Sequence, residues 1–319
     1  YFRSLEIRKS TNTRKNYAYD LGVFFYFLKT NNPYFKDKDI HTLPIEVLDM
    51  ITAMDVEEYL SYLESYTKDG KLYTNREEGK ARKLSSLKSF YDYYFKKNLI
   101  RTNPPRQVDV PKIKNKNIIR LDPNEIAQLL DEAESGEKLS GRQLASHEKT
   151  KVRDVAILTL LLGTGIRVSE CVGLNLEDVD FNNGAIRIIR KGGNEALIYF
   201  GDEVSQALEA YMNGPRNTAE PAAGHEEALF ISLNKTRITT RSVERLVKKY
   251  SRLVTTVKKI TPHKLRSTFG TALYQETGDI YLVADTLGHK DVNTTKKHYA
   301  AIDEHRRRMA ANVVKLRES

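Results

Sequence analysis

The chain predicts a mainly α-helical fold with a small β-sheet, divided into two domains, and three observations predict it. Helical apolar spacing recurs through roughly the first hundred residues. A break rich in proline and lysine then runs from Asn103 to Lys116. Beyond it, two strand-like segments around a Gly-Gly turn interrupt an otherwise helical pattern. At 319 residues the chain is long enough for two ordinary domains. Boundaries are expected at 1–103, a linker over 104–119, and a second domain over 120–319.

In the first domain, Tyr17, Leu21, Phe24 and Leu28 recur at helical spacing, with Thr11 or Thr13 available as N-cap. A second helix is expected from about Asp55, with Val56, Tyr59, Leu60 and Leu63 on one face, and a third carries Leu84, Leu87, Tyr91 and Tyr94. Thr67 to Gly79 is polar and turn-rich and reads as a loop. Asn103-Pro104-Pro105 and Val110-Pro111 cannot continue a helix. Lys112, Lys114 and Lys116 follow, and read equally well as a solvated linker or as cations along a nucleic-acid backbone.

The second domain opens on Asp122-Pro123-Asn124-Glu125, which places Asp at N-cap, Pro at N1 and Glu at N3. The polar stretch Ser135 to Thr150 precedes a long apolar helix, Val152 to Leu162, ending at Gly163. After the turn at Asn182-Asn183-Gly184, Ala185 to Arg190 and Glu195 to Phe200 read as strands joined across Lys191-Gly192-Gly193-Asn194. Helices resume near Asp202. At the end, Asp303 to Leu316 has helical character, with Met309, Val313 and Leu316 on one side and Arg306 to Arg308 beside them.

Hydrophobic residues at 40% and charged residues at 29% are ordinary for a globular protein. No apolar run reaches the roughly 20 residues that span a bilayer, and no signal peptide is visible, so a cytoplasmic location is expected. The chain starts at Tyr1 without methionine, so a short N-terminal piece is expected to lie out of view. Cys171 is the one cysteine, which excludes an intrachain disulfide and a cysteine-cluster metal site, and it is expected to be a buried structural thiol. A net charge of +10 favours a polyanionic partner.

A set of polar residues in the second half carries the chemistry. Arg167 lies in Thr-Gly-Ile-Arg-Val-Ser-Glu, just past a glycine turn that sets it at a rim, with Glu170 three residues on to orient it. Lys191 occupies the tip of the proposed hairpin, where glycines allow close approach to a backbone. His263 and Arg266 lie three apart at a helix start that Thr261 caps and Pro262 opens, which offers a proton-transfer group beside a permanent cation. His289 follows Leu287-Gly288, a helix-stop signal after a short helix beginning near Asp279. Tyr299 is one of 18 tyrosines, and its phenol needs neighbouring cations to act as a nucleophile. Together these groups can be arranged around one phosphodiester: arginines on the non-bridging oxygens, lysine and histidines moving protons, tyrosine attacking. Singly, each has a plainer reading as a surface ion pair, a solvated hairpin tip or a capping histidine. His41, His147, His225, His298 and His305 lie in polar surroundings and carry no assigned role.

In this order and spacing, the strings closely resemble the tyrosine recombinase/integrase family, the phage integrases and Xer recombinases. The resemblance is specific over about residues 120 to 310, and looser in the first domain, where a Thr-x-x-x-Tyr-x-x-x-Leu helix is similar to the family's core-binding domain. It implies a C-shaped clamp, a helical SAM-like core-binding domain plus an α/β catalytic domain, closing on double-stranded DNA at a specific site. It further implies that Tyr299 forms a 3′-phosphotyrosyl link, that Arg167 and Arg266 bind the phosphate, and that His263 and His289 hydrogen-bond it and shuttle protons. Lys191 would protonate the leaving 5′-oxygen, and Arg190, Lys264 and the linker lysines would contact DNA. No cofactor or metal is implied. Four protomers would assemble on two sites through the tail from Ala300 to Ser319, in a bacterial, nucleoid-associated enzyme. One departure stands out: Tyr299 is ten residues after His289, where the family usually has nine. The extra residue is expected in the Lys290 to Asn293 loop. The rivals are a type IB topoisomerase-like enzyme and a DNA-binding protein without catalysis.

Overall fold

The computed structural model describes residues 1–7, 9–36, 38–113, 118–190, 192–289 and 292. The chain divides into two compact units, Tyr1–Lys116 and Asn117–Ser319.

The first unit is built from α1 (Phe2–Glu6), α2 (Thr11–Asn31), α3 (Ala53–Tyr62), the β1–β2 hairpin (Ser65–Lys68, Lys71–Thr74), α4 (Glu77–Phe95) and α5 (Pro104–Gln107). Helix α2 is capped by Ser10, whose hydroxyl accepts from the Thr13 amide, rather than by either threonine expected in that role. At α3, Thr52 and Asp55 form a reciprocal capping box. The expected apolar faces meet: Phe24, Val56, Tyr59, Leu63, Leu84 and Tyr91 are buried in one core. Two elements depart from the reading above. Residues 65–74 form an antiparallel hairpin that takes up the first part of the expected Thr67 to Gly79 loop, because Tyr66 packs into the core and stacks between Tyr62 and Tyr73. Likewise, Pro104 starts a short helix with both prolines buried, and Val108 joins the core, so this stretch packs as part of the unit.

The second unit contains α6 (Pro123–Ser135), α7 (Gly141–His147), α8 (Lys151–Thr164), α9 (Val168–Gly173), β3 (Val179–Asp180), β4 (Ala185–Ile189), β5 (Glu195–Tyr199), α10 (Asp202–Tyr211), α11 (Thr240–Val254), α12 (Pro262–Thr277) and α13 (Ile280–Thr286). The strands form one antiparallel sheet in the order β3-β4-β5, with Ile188 opposite Ala196 and Ile189 opposite Glu195. Helix α8, apolar nearly all round, is the centre of the unit and packs against α6, α10 and α12. It runs to Thr164 and stops at Gly165, which takes the left-handed conformation at φ 63°. Helix α6 starts at the Asp122–Glu125 capping box expected for it.

His147 is a correction. Far from lying in polar surroundings, it is buried at the end of α7, with Nδ1 3.0 Å from the Tyr250 hydroxyl on α11. That hydroxyl in turn donates to Asp154 on α8 at 3.1 Å. Cys171 is buried, as expected for a structural thiol.

Candidate active site

The second unit brings three separated stretches to one place, the C-terminal end of α13. This helix begins at Asp279, whose carboxylate accepts from the Tyr281 and Leu282 amides. It ends in a Schellman motif: the Gly288 amide donates to Asp285 O and the His289 amide to Ala284 O, both at 2.8 Å. Gly288 supplies the left-handed residue this motif needs, with φ 59°. His289 is therefore fixed by backbone bonds at a rigid corner.

The carbonyls at that corner are taken by guanidinium groups. Arg167, the N-cap residue of α9, donates from Nη2 to Gly288 O at 3.3 Å. Arg266, one turn into α12, donates from Nη1 to Gly165 O at 2.6 Å and from Nη2 to Leu287 O. Arg190, at the end of β4, donates to Asp285 O at 3.3 Å and Thr286 O at 3.2 Å. A helix C-terminus carries partial negative charge and unsatisfied carbonyls, so it attracts cations. Here it gathers those that a phosphate would also need.

Each arginine is held differently. Glu170 binds Arg167 twice, accepting from its amide at 2.7 Å and from Nη1 at 2.8 Å. The Glu170 side chain is 4% exposed and that of Arg167 35%, so this is not a solvated surface pair. A buried carboxylate orients a guanidinium that keeps one side open. Arg266 is buried, fixed between the end of α8 and the end of α13. His263 lies three residues before Arg266 on α12, exposed at the helix start. Thr261 is the N-cap residue of α12, but it acts through its carbonyl, which accepts from the Lys264 and Leu265 amides, and not through its hydroxyl.

The structure thus gathers Arg167, Glu170, Arg266 and His289, with His263 on the same helix as Arg266. Lys264 is half-buried on α12, and Lys112 is exposed in the first unit. Lys191, Lys114, Lys116 and Tyr299 lie outside the described residues, as do the tail from Ala300 and all of the loop expected to absorb the extra residue except Val292. Arg190, expected to lie on DNA, has its guanidinium engaged inside the unit. Sequence reasoning also missed the carbonyls of Gly165 and residues 285–288, which position the cations. Their one signal was the pair of glycines at helix ends. Among the described residues, no group of three or more His, Cys, Asp or Glu is arranged to hold a metal ion, and no helix is long and apolar enough to cross a membrane.

Residues 119–306 match the model of the phage integrase family. The chain belongs to that family, the tyrosine recombinases. A tyrosine recombinase XerC of Syntrophus aciditrophicus is 33% identical over 94% of this chain and 90% of its own length. A second XerC, from Caldanaerobacter subterraneus subsp. tengcongensis, is 33% identical over 98% of this chain and 84% of its own. Among solved structures, the XerH recombinase bound to its difH substrate shares the fold with a TM-score of 0.67 at 21% identity, covering 94% of this chain and 78% of that one. The Tn1549 transposon integrase bound to transposon right-end DNA aligns with a TM-score of 0.67 at 23% identity, covering 98% of each chain. The activity is that of a site-specific tyrosine recombinase, which cleaves and rejoins DNA. The topoisomerase and non-catalytic alternatives draw no support from these relatives.

Proposed function

We propose that this recombinase is of Xer type, acts on double-stranded chromosomal DNA at the nucleoid, and carries its reaction on Arg167, Lys191, His263, Arg266, His289 and Tyr299. The observation that carries the assignment is the meeting of Arg167 and Arg266 on the adjacent carbonyls of Gly288 and Leu287, one and two residues before His289. Two permanent cations and an imidazole from three distant segments suit a phosphate with charge developing on its non-bridging oxygens. The near full-length similarity to recombinases named XerC supports the subfamily, and the DNA in the XerH and Tn1549 complexes supports the partner.

On this reading the Tyr299 oxygen bonds to phosphorus as the bond to the 5′-oxygen breaks. His263 and His289 hydrogen-bond the phosphate and shuttle protons, and Lys191 gives its proton to the departing 5′-oxygen. A 5′-hydroxyl of the partner strand then attacks the phosphotyrosine and reverses these steps. The phosphotyrosine retains the energy of the diester, so the scheme needs neither nucleotide nor metal, and cleavage should proceed in EDTA. Four protomers assemble on two sites, with the tail from Ala300 docking on a neighbour. Truncation after Ile302 should spare half-site binding and lower synapse formation.

The test is a covalent-adduct gel on nicked site DNA, followed by peptide mapping. Tyr299→Phe removes one oxygen and should abolish the adduct while DNA binding persists. An adduct on any other tyrosine overturns the assignment, despite the ten-residue spacing from His289. A requirement for magnesium would overturn the scheme as a whole.

A further inference from the structure

We propose that Arg190 is a positioning residue that ties the β4–β5 hairpin to the end of α13 and acts on the reaction through the residue that follows it in the sequence, the general acid Lys191. The proposal rests on the general-acid role assigned to Lys191 above. Arg190 is a two-ended brace. Its backbone closes the hairpin turn, the amide donating to Asn194 O at 2.8 Å and the carbonyl accepting from the Gly193 amide at 3.0 Å. Its side chain leaves the hairpin and bonds two carbonyls, Asp285 O and Thr286 O, nearly a hundred positions along the chain. The next residue in the sequence is Lys191.

Gly288 shows how closely the brace is fitted. A Cβ placed there would lie 2.4 Å from Arg190 Nη1, 2.6 Å from Cζ and 2.9 Å from Nε. The guanidinium thus fills the space that a side chain at 288 would take. Gly288 is needed twice, for its left-handed φ and for passage of Arg190 across it. Arg190 Nε is buried with no hydrogen-bond partner among the described residues. Arg167 and Arg266 bond the next two carbonyls, so the brace ends on the corner that carries His289. Gly192 and Gly193, with φ 103° and 83°, leave the turn backbone free of side-chain restraint. Anchoring Arg190 at both ends restrains this turn, and restraint next to a reacting group is how positioning lowers a barrier.

The experiment compares cleavage of two nicked substrates, one with the normal 5′-oxygen leaving group and one with a 5′-bridging sulfur that leaves without protonation. Arg190→Ala should slow the oxygen substrate by about tenfold or more relative to the sulfur substrate, with site affinity within about twofold of wild type. Arg190→Lys, a point charge without the two-pronged fork, should give an intermediate ratio, and it reads the same quantity if the alanine variant does not fold. Equal slowing of both substrates overturns the proposal, because a general loss of structure or of the His289 corner acts on both. Weakened binding with an unchanged oxygen-to-sulfur ratio also overturns it and makes Arg190 a DNA contact. The Lys191→Ala control separates the two claims: if that variant slows both substrates equally, the general-acid role falls. The brace is then judged by the double variant. Arg190→Ala should add no further slowing in the Lys191→Ala background, and an additive loss would show that Arg190 does not act through Lys191.

Discussion

Burial decides the behaviour of two side chains that would be reactive in water. The Cys171 thiol, enclosed in the core of the second unit, is pushed up to about 12 by loss of hydration. It should resist alkylation at pH 8 in the native protein and react on unfolding, which mass spectrometry of iodoacetamide-treated samples would check. Rapid native labelling would contradict this burial. His147 is held below the ordinary histidine value, first by burial and then by the nearby Lys249 ammonium, against the opposing pull of a backbone hydrogen bond at Glu134 and of the Glu148 and Asp154 carboxylates. The folded protein binds this proton less tightly than the unfolded chain, whose value is about 6.5. The contribution to stability is therefore intact above about pH 6.5 and declines as pH falls below it. Urea midpoints should drop between pH 7.5 and 5.5, and His147→Gln, which keeps a partner for Tyr250, should flatten that drop. An unchanged slope would remove His147 as its source.

At the scale of elements, the junction of α8 and α12 combines stability and activity in one glycine. Gly165 ends α8 at φ 63°, and a Cβ there would sit 2.3 Å from Phe269 Cδ1 on α12. Its carbonyl also accepts from Arg266. Gly165→Ala adds backbone strain to an aromatic clash, and should destabilise the protein by about 2 kcal/mol or more. Because the shift moves an Arg266 acceptor, covalent-adduct formation should fall further than the lost folded fraction explains. A thermal melt beside an adduct assay on the folded protein would separate these effects. Equal losses in both would mean that Gly165 serves the fold alone.

For the whole molecule, charge and cores set the expectations. The two units have separate apolar cores, one within residues 21–108 and the other over 121–265. A fragment from Leu121 onwards should therefore melt cooperatively by itself. On the proposal that the first unit also contacts DNA phosphates, it should keep weak cleavage and lose much site affinity. Binding by the full chain, with its net charge of +10, should weaken steeply as salt rises. Equal affinity of fragment and full chain, measured by gel shift, would count against a shared interface. A flat salt response would count against backbone contacts as the main source of affinity.

Most of the elements, and the family, can be read from residue order alone. Apolar spacing marks α2, α3 and α4, Asp122-Pro123 with Glu125 marks the start of α6, and paired glycines mark the turn between β4 and β5. These signals are legible because caps, turns and amphipathic faces are satisfied by neighbours in the chain. Arg167, Glu170, Arg266 and His289 were legible for another reason: each sits in a distinctive string at a helix end. The surroundings of two other side chains emerge only once the chain is folded. Arg190 reads as a basic hairpin residue until α13 presents carbonyls to it, and His147 reads as polar until α8 and α11 enclose it. Thr67 to Gly79 reads as a polar loop, although residues 67–74 pair in the β1–β2 hairpin, whose anchor Tyr66 packs into the core of the first unit. For Arg190 and His147 the deciding contact lies about a hundred positions along the chain, and its energy comes from desolvation and hydrogen bonding that no local pattern records.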